Sequence, residues 1–314
     1  MGSTKMSLLL ASVSCAFLLS VSGASAQYAA NVASYAAGTT PSPGGYTSPA
    51  AALGSPERLT GEGVFPGVVS PFSPPFLNSE IVSIGEGGQL TLRLANYAVP
   101  QAAAPEIGVF SNFGLVDVDF PNGRAGNPAG GFAPPDSALV EVSANGTNWI
   151  SLGNSAFDIP TNGYADVTDP FAGAAGSVPS DFQQPFTGGL GSFNGLAHFD
   201  AGGPDILEVL AGSGGGKWLD ISGTGLAQVG FIRFSIADDG NVSTSLNFEI
   251  DGVSVSHAAL GGVVVPEPAA MLLSLVAISA IAISSQRKFR ARAAGSVRGR
   301  TKPTARSPES RSGH

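Results

Sequence analysis

Between residues 27 and 262, apolar side chains recur in short runs that alternate with polar ones, and Gly, Pro, Asn and Asp punctuate the runs. Period-two alternation bounded by turn residues marks strands with one buried face. Leu90, Leu92 and Leu94 fall on one face of Gln89–Ala95, with Thr91 and Arg93 on the other. Ala138, Val140 and Val142 alternate with Leu139, Glu141 and Ser143. Gly230, Ile232 and Phe234 do so with Phe231 and Arg233. Ile81–Ile84, Ile107–Phe110 and Phe113–Phe120 read as further strands, and Lys217–Ile221 is expected to pair with Val229–Ile236. In Leu246–Val255 the alternation of Phe248, Ile250, Val253 and Val255 shifts at Gly252, which predicts a bulge. Ser137–Leu152 predicts a hairpin, with Asn145-Gly146 taking the positive φ angles of a tight turn. Phe157–Leu196 is a long loop region, and His198–Leu207 reads as a turn into a strand. In the lead-in, Ala29–Ala37 and Pro49–Leu53 suit short helical turns. Pro66, Pro71, Pro74 and Pro75 force extended chain there, and Val64, Phe65, Val68, Val69, Phe72 and Phe76 require burial. No repeat of fixed period occurs, so the whole predicts an all-β sandwich or barrel.

The two ends break this pattern. Lys5, the apolar stretch Met6–Val21 and the Ala24-Ser25-Ala26 site form a cleavable secretory signal over residues 1–26, so the mature chain starts at Gln27. At the other end, Pro266-Glu267-Pro268 precedes an uncharged run, Ala269–Ser285, and then the cluster Arg287, Lys288, Arg290 and Arg292. The prolines set a helix start. The run, as a helix, is about 25 Å long, the short end of what crosses a bilayer core of about 30 Å. The cations keep the cytoplasmic side, so the preceding chain lies outside.

Charge follows the same division. The whole chain carries −8. The body holds five cations (Arg58, Arg93, Arg124, Lys217, Arg233) against 21 acids, a net −16. Such a body does not bind nucleic acid through phosphates. Cys15, the only cysteine, falls mid-run in the signal, so the mature chain has no disulfide framework, thiol nucleophile or thiolate metal site.

Val265–Arg292 resembles the PEP-CTERM sorting signal of Gram-negative bacteria, in which a Pro-Glu-Pro box, a membrane helix and an Arg-rich end close an exported protein. The resemblance implies recognition and processing by an exosortase-type membrane protease or transpeptidase, after the Sec translocon and signal peptidase have acted at the N-terminus. It also implies a link to exopolysaccharide, biofilm or envelope assembly. Members usually stop soon after the basic cluster, whereas this chain continues to His314 as an Arg-, Ser- and Gly-rich tail over residues 293–314, read as a disordered cytoplasmic segment. In the body, Val140–Trp149 is similar to the V-S-x-D-G-x-x-W hairpin of discoidin-like, galactose-binding-like jelly rolls. Asn145 stands in for the usual Asp. The closing Phe248-Glu249-Ile250-Asp251 strand resembles the end of the same sandwiches, and His198–Leu207 matches their Gly-Gly-Asp element loosely. The expected architecture is a jelly-roll-like β-sandwich over 27–262, between the signal peptide and a sorting segment, 263–292, with a single transmembrane helix.

Catalytic signals are weak. His198 and His257 lack metal-ligand partners at short spacing, and no Gly-x-Ser-x-Gly elbow occurs. Gly212–Lys217 imitates a phosphate loop, but Ala211 stands where its first glycine belongs and Trp218 where its hydroxyl belongs, so it reads as a flexible hairpin loop. Asp238, Asp239 and Asn241 place several oxygens in one loop and make Ca²⁺ the candidate cofactor, with Asp200/Asp205 and Asp166/Asp169 as weaker sets. An ordinary solvated turn is the simpler explanation of each set. Trp149 is expected in the core, with glycan stacking as its functional alternative. The pattern as a whole points to a non-enzymatic exported protein of the cell surface or extracellular matrix, transiently anchored in the inner membrane by its C-terminus. A Ca²⁺-dependent carbohydrate-binding module and a polysaccharide-active enzyme are the other two classes left open.

Overall fold

A computed structural model describes residues 27–39, 45–61, 67–132, 137–238 and 247–259. By contacts the chain divides into Met1–Val263 and Val264–His314, and all described residues belong to the first unit. The signal peptide, the sorting segment 263–292 and the tail 293–314 lie outside the described residues. Among the described residues no helix is long and apolar enough to cross a membrane.

The described chain is all-β. Its strands are β1 (Ala29–Ala36), β2 (Leu59–Thr60), β3 (Gly67–Val68), β4 (Val82–Gly85), β5 (Gln89–Ala98), β6 (Ile107–Phe110), β7 (Ser137–Ser143), β8 (Ile150–Ala156), β9 (Lys217–Leu219), β10 (Val229–Ser235), β11 (Asn247–Ile250) and β12 (Gly252–Val255). One five-residue helix, α1 (Ile206–Leu210), interrupts them. The larger sheet is antiparallel in the order β1-β5-β10-β7-β8; β11-β4 and β12-β6-β9 form the other side, and β2-β3 is a small ribbon. Leu90, Leu92, Val140, Val142, Ile232 and Phe234 from the large sheet are fully buried with Ile84, Val109, Phe248, Ile250, Val253 and Val255 from the smaller ones. Each such side chain stabilises by about 1.5–3 kcal/mol on leaving water. The alternation read from sequence thus found the core face of β5, β7 and β10.

Several expectations change. Ala29–Ala36 is not helical but an edge strand, paired to β5 from Ala29↔Leu94 to Ala36↔Gln89. Pro49–Ala52 does make a 3₁₀ turn. Of the apolar lead-in residues, Val68, Val69 and Phe72 are buried but Phe76 is 47% exposed; Val64 and Phe65 fall outside the described residues. Phe113–Phe120 forms only isolated bridges, Leu115↔Gly131 and Asp117↔Ala125. His198–Leu207 leads into α1, not a strand, because Asp205 caps the helix by accepting Glu208 N–H at 2.7 Å. β9 and β10 do not pair: β9 joins β6, and β10 sits between β5 and β7. The shift near Gly252 is a change of partner, since β11 pairs with β4 and β12 with β6, with Asp251 between them.

A second, aromatic-rich core lies under the long connections. It gathers Phe72, Phe110, Phe113, Phe182, Phe186, Phe193, Ile206 and Trp218. The glycine run before β9 is part of this packing and not a flexible hairpin tip. A Cβ on Gly214 would sit 2.0 Å from Phe182, one on Gly215 2.1 Å from the Pro160 carbonyl, and one on Gly216 2.7 Å from Phe110.

Candidate functional site

β9 divides the two cores. Leu219 belongs to the sandwich core and Trp218, next to it, to the aromatic one. Where β9 emerges, a cleft of about 270 Å³ opens, lined by Ile159, Phe186, Thr187, Lys217, Trp218 and Asp220 among others. Its walls are fixed by packing. Trp218 Nε1 donates to the Gly215 carbonyl at 3.0 Å, and the ring meets Phe110 edge-on at 6.4 Å. Gly108, paired with Trp218 across the strands, leaves room for the indole, since a Cβ there would stand 2.8 Å from Cζ2. Phe186 stacks on Phe193 at 5.4 Å. At the rim, exposed Asp220 accepts Ser222 N–H at 2.7 Å, and the Ser222 hydroxyl and N–H hold its carboxyl below the usual range. Two aromatic residues, a lysine, a threonine and an ionised aspartate therefore line one cleft, a set suited to a small polar ligand with an apolar face. The sequence pattern singles out none of these residues as a site. Its only signal is Lys217-Trp218, at the end of a phosphate loop that fails.

Trp149 is only partly buried and belongs to neither core cluster. It sits in the β7–β8 connection, and the Arg233 guanidinium covers its ring at 4.1 Å. Arg233 Nη2 in turn reaches Glu141 Oε2 at 2.7 Å, across the directly opposed β10–β7 pair. One face of the indole is thus already occupied by a cation. The hairpin turn also differs from the expected tight one. Only Gly146 has a positive φ, and Asn145 Oδ1 instead accepts Thr147 N–H, Thr147 Oγ1–H and Asn148 N–H.

The carboxylates proposed for metal are engaged in the backbone. Asp205 holds the N–H groups of Asp200 and Glu208, and Asp200 holds that of Gly202. Asp166 holds Ser177 and Val178, and Asp169 holds Phe171. Asp238 is exposed after β10, while Asp239 and Asn241 lie outside the described residues. No group of three His, Cys, Asp or Glu among the described residues is placed to hold a metal ion. The same use recurs deeper. Glu80 accepts from Thr60 Oγ1, Phe76 N and Leu77 N; buried Glu106 from Gln101 N and Ile221 N; Asp117 from Asp119, Gly123 and Arg124. Much of the acid in this body staples long loops that lack strand partners.

The histidines stay apart. His198 is buried, donates from Nε2 to the Val167 carbonyl at 2.9 Å, and leaves Nδ1 without a partner. Burial lowers its pKa. His257 pairs with Asp181 at 3.0 Å on the surface. Ala24, Ala26, Pro266, Glu267, Pro268, Arg287, Lys288, Arg290 and Arg292 lie outside the described residues. No protein-family model matches the chain, and no curated protein is detectably similar to it.

Proposed function

We propose that this is a non-enzymatic exported protein of the cell surface or extracellular matrix, delivered through a PEP-CTERM-type signal and tied to exopolysaccharide or envelope assembly. The observation that carries this reading is the three-part segment Val265–Arg292, set between a body of net −16 and a basic end. Its body is a jelly-roll-like sandwich of the galactose-binding type. The loop-stapling role of Glu80, Glu106, Asp117, Asp166 and Asp205 supports a structural use of its acids over a catalytic one. The partners are the Sec translocon and signal peptidase, then an exosortase-type membrane protease that acts at Pro266-Glu267-Pro268 while the helix holds the chain in the membrane. Mass spectrometry of the mature protein tests this. The N-terminus is expected at Gln27 and the C-terminus near Glu267. Glu267→Ala is expected to leave full-length chain in the membrane fraction, and unchanged processing in that variant overturns the sorting assignment.

The cleft at Lys217 and Trp218 favours a second reading of the body, as a carbohydrate-binding module.

A further inference from the structure

We propose that the cleft beside β9 is a subsite for one carboxylated sugar residue of an acidic extracellular polysaccharide, with Lys217 pairing the sugar carboxylate. This deepens the carbohydrate-binding reading and rests on it.

The cations of the body point to Lys217. Arg58 lies 4.3 Å over the Phe182 ring and donates to the Gly163 carbonyl at 2.6 Å. Arg124 donates to the Gly195 carbonyl at 3.0 Å, Arg233 is held by Glu141 and Trp149, and Arg93 is also engaged. Among the described residues, the Lys217 side chain is the one cation with no ion pair, hydrogen bond or ring contact. In a body with 21 acids, a lysine that pairs with none of them and lines a cleft is a place for an external carboxylate.

The other lining groups narrow the chemistry. Phe186 and Trp218, 8% and 7% exposed, give the cleft a largely buried apolar wall. Thr187 and Asp220 add a donor and an acceptor for hydroxyls. Asp220, held ionised by Ser222, opposes a multiply charged anion such as phosphate, whereas a single carboxylate on a polyhydroxy ring can meet Lys217 and turn its hydroxyls to Asp220. The volume, about 270 Å³, lies just under the range of about 300–1,000 Å³ for drug-sized ligands, which fits one ring with the polymer leaving past exposed Thr187 and Asp220. One subsite gives weak affinity, and many copies on a surface facing a repeating polymer compensate through multivalency.

The test titrates the full chain, purified in detergent, with oligogalacturonate, a neutral galacto-oligosaccharide of equal length and inorganic phosphate, read by ligand-observed NMR. Oligogalacturonate is expected to bind and the other two not, at equal concentration. Lys217→Met is expected to weaken binding by about tenfold or more, while Lys217→Arg keeps most of it. Raised salt weakens the wild type and not the Met variant. Thr187→Val, at an exposed position, is expected to weaken binding severalfold, and keeps the test decisive if the Met variant fails to fold. No oligogalacturonate binding by the folded wild type, equal binding of the neutral sugar, or binding indifferent to both substitutions overturns the proposal. A correctly exported chain that ignores oligogalacturonate overturns the subsite alone. A chain retained inside the cell overturns the surface reading whichever way the titration falls.

Discussion

The guanidinium carbon of Arg233 lies 4.1 Å from the centre of the Trp149 ring, and the same guanidinium reaches Glu141 at 2.7 Å. The indole is therefore a clamp on the outer face of the large sheet. A cation over an aromatic face contributes about 0.5–1 kcal/mol when exposed and about 2 when desolvated; here the Arg233 and Glu141 side chains keep about a fifth of their surface in water. Trp149→Ala is expected to lower stability by about 1–2 kcal/mol, seen as a fall in the urea midpoint. Saccharide binding should not change. The reverse result, unchanged midpoint with lost binding, would make Trp149 a sugar platform after all. Arg233→Lys is expected to lose most of the same stability, because an ammonium cannot hold both the ring face and the carboxylate.

Asp251 stands where the last strand changes sheets, and both of its oxygens accept the Glu57 N–H at 3.1 Å. That bond favours the ionised form, but burial of the carboxyl outweighs it and raises the pKa well above the ordinary value, with Glu57 and Glu80 adding in the same direction. The folded state therefore binds this proton more tightly than the unfolded one. The stability gained is fully present below the unfolded pKa of about 3.9 and is lost as pH rises through the raised folded value. Asp251→Asn has no proton to lose. Its stability relative to wild type is expected to improve steadily from pH 4 to pH 7, measured by urea midpoints across that range. A difference that stays flat with pH would show that Asp251 is ionised throughout.

Strand faces were legible because they depend on neighbours along the chain. Leu90/Leu92/Leu94 and Ile232/Phe234 declare their side by alternation alone, and all are buried. Strand partners were not legible. β9 and β10 are close in sequence, yet each pairs with a distant strand, and Asp251 reads as part of one closing strand with a bulge after it until its two sheets are seen. The helical reading of Ala29–Ala37 gives way for a similar reason: small residues favour a helix locally, and pairing of Ala29–Ala36 with β5 overrides them. The cleft was the least legible part. Ile159, Thr187 and Lys217 are far apart in sequence, and their meeting depends on loops pinned by Asp and Glu side chains to backbone N–H groups, contacts that leave no periodic trace.

His198 shows how a lone histidine serves such a loop. Its backbone N–H donates to Gly123 O at 2.6 Å, its Nε2 to Val167 O, and its ring stands edge-on to Phe72 at 6.2 Å. Burial favours the neutral ring and lowers the pKa, against smaller opposing effects of the Val167 bond, Asp205 and Asp169. Stability is then full above the ordinary histidine pKa of about 6.5 and is lost as pH falls through that window. His198→Leu forfeits the Val167 bond and is expected to cost about 1–3 kcal/mol at pH 7.5. The gap to wild type should narrow by pH 5, where wild type bears the cost of charging a buried ring. A gap that widens toward acid would mean the histidine is protonated in the folded protein.

The glycines ahead of Lys217 give the sharpest separation between a motif and a packing site. Gly215 has φ +76°, a region that side chains other than glycine's rarely adopt, and a Cβ there would stand 2.1 Å from the Pro160 carbonyl oxygen. The opposing atom is backbone, so relief requires Pro160 and the neighbouring Thr161, the bridge partner of Gly215, to move, and with them the floor next to Ile159 in the cleft. Gly215→Ala is expected to destabilise by about 2–4 kcal/mol, from positive-φ strain together with overpacking. A Cβ on Gly223 would meet nothing within 4 Å, and its φ is not positive, so Gly223→Ala should change stability by less than about 0.5 kcal/mol. Thermal denaturation of the two variants beside wild type measures the contrast. If Gly215→Ala melts with wild type, the run before β9 is as loose as its composition suggests, and the cleft wall built on it is not rigid.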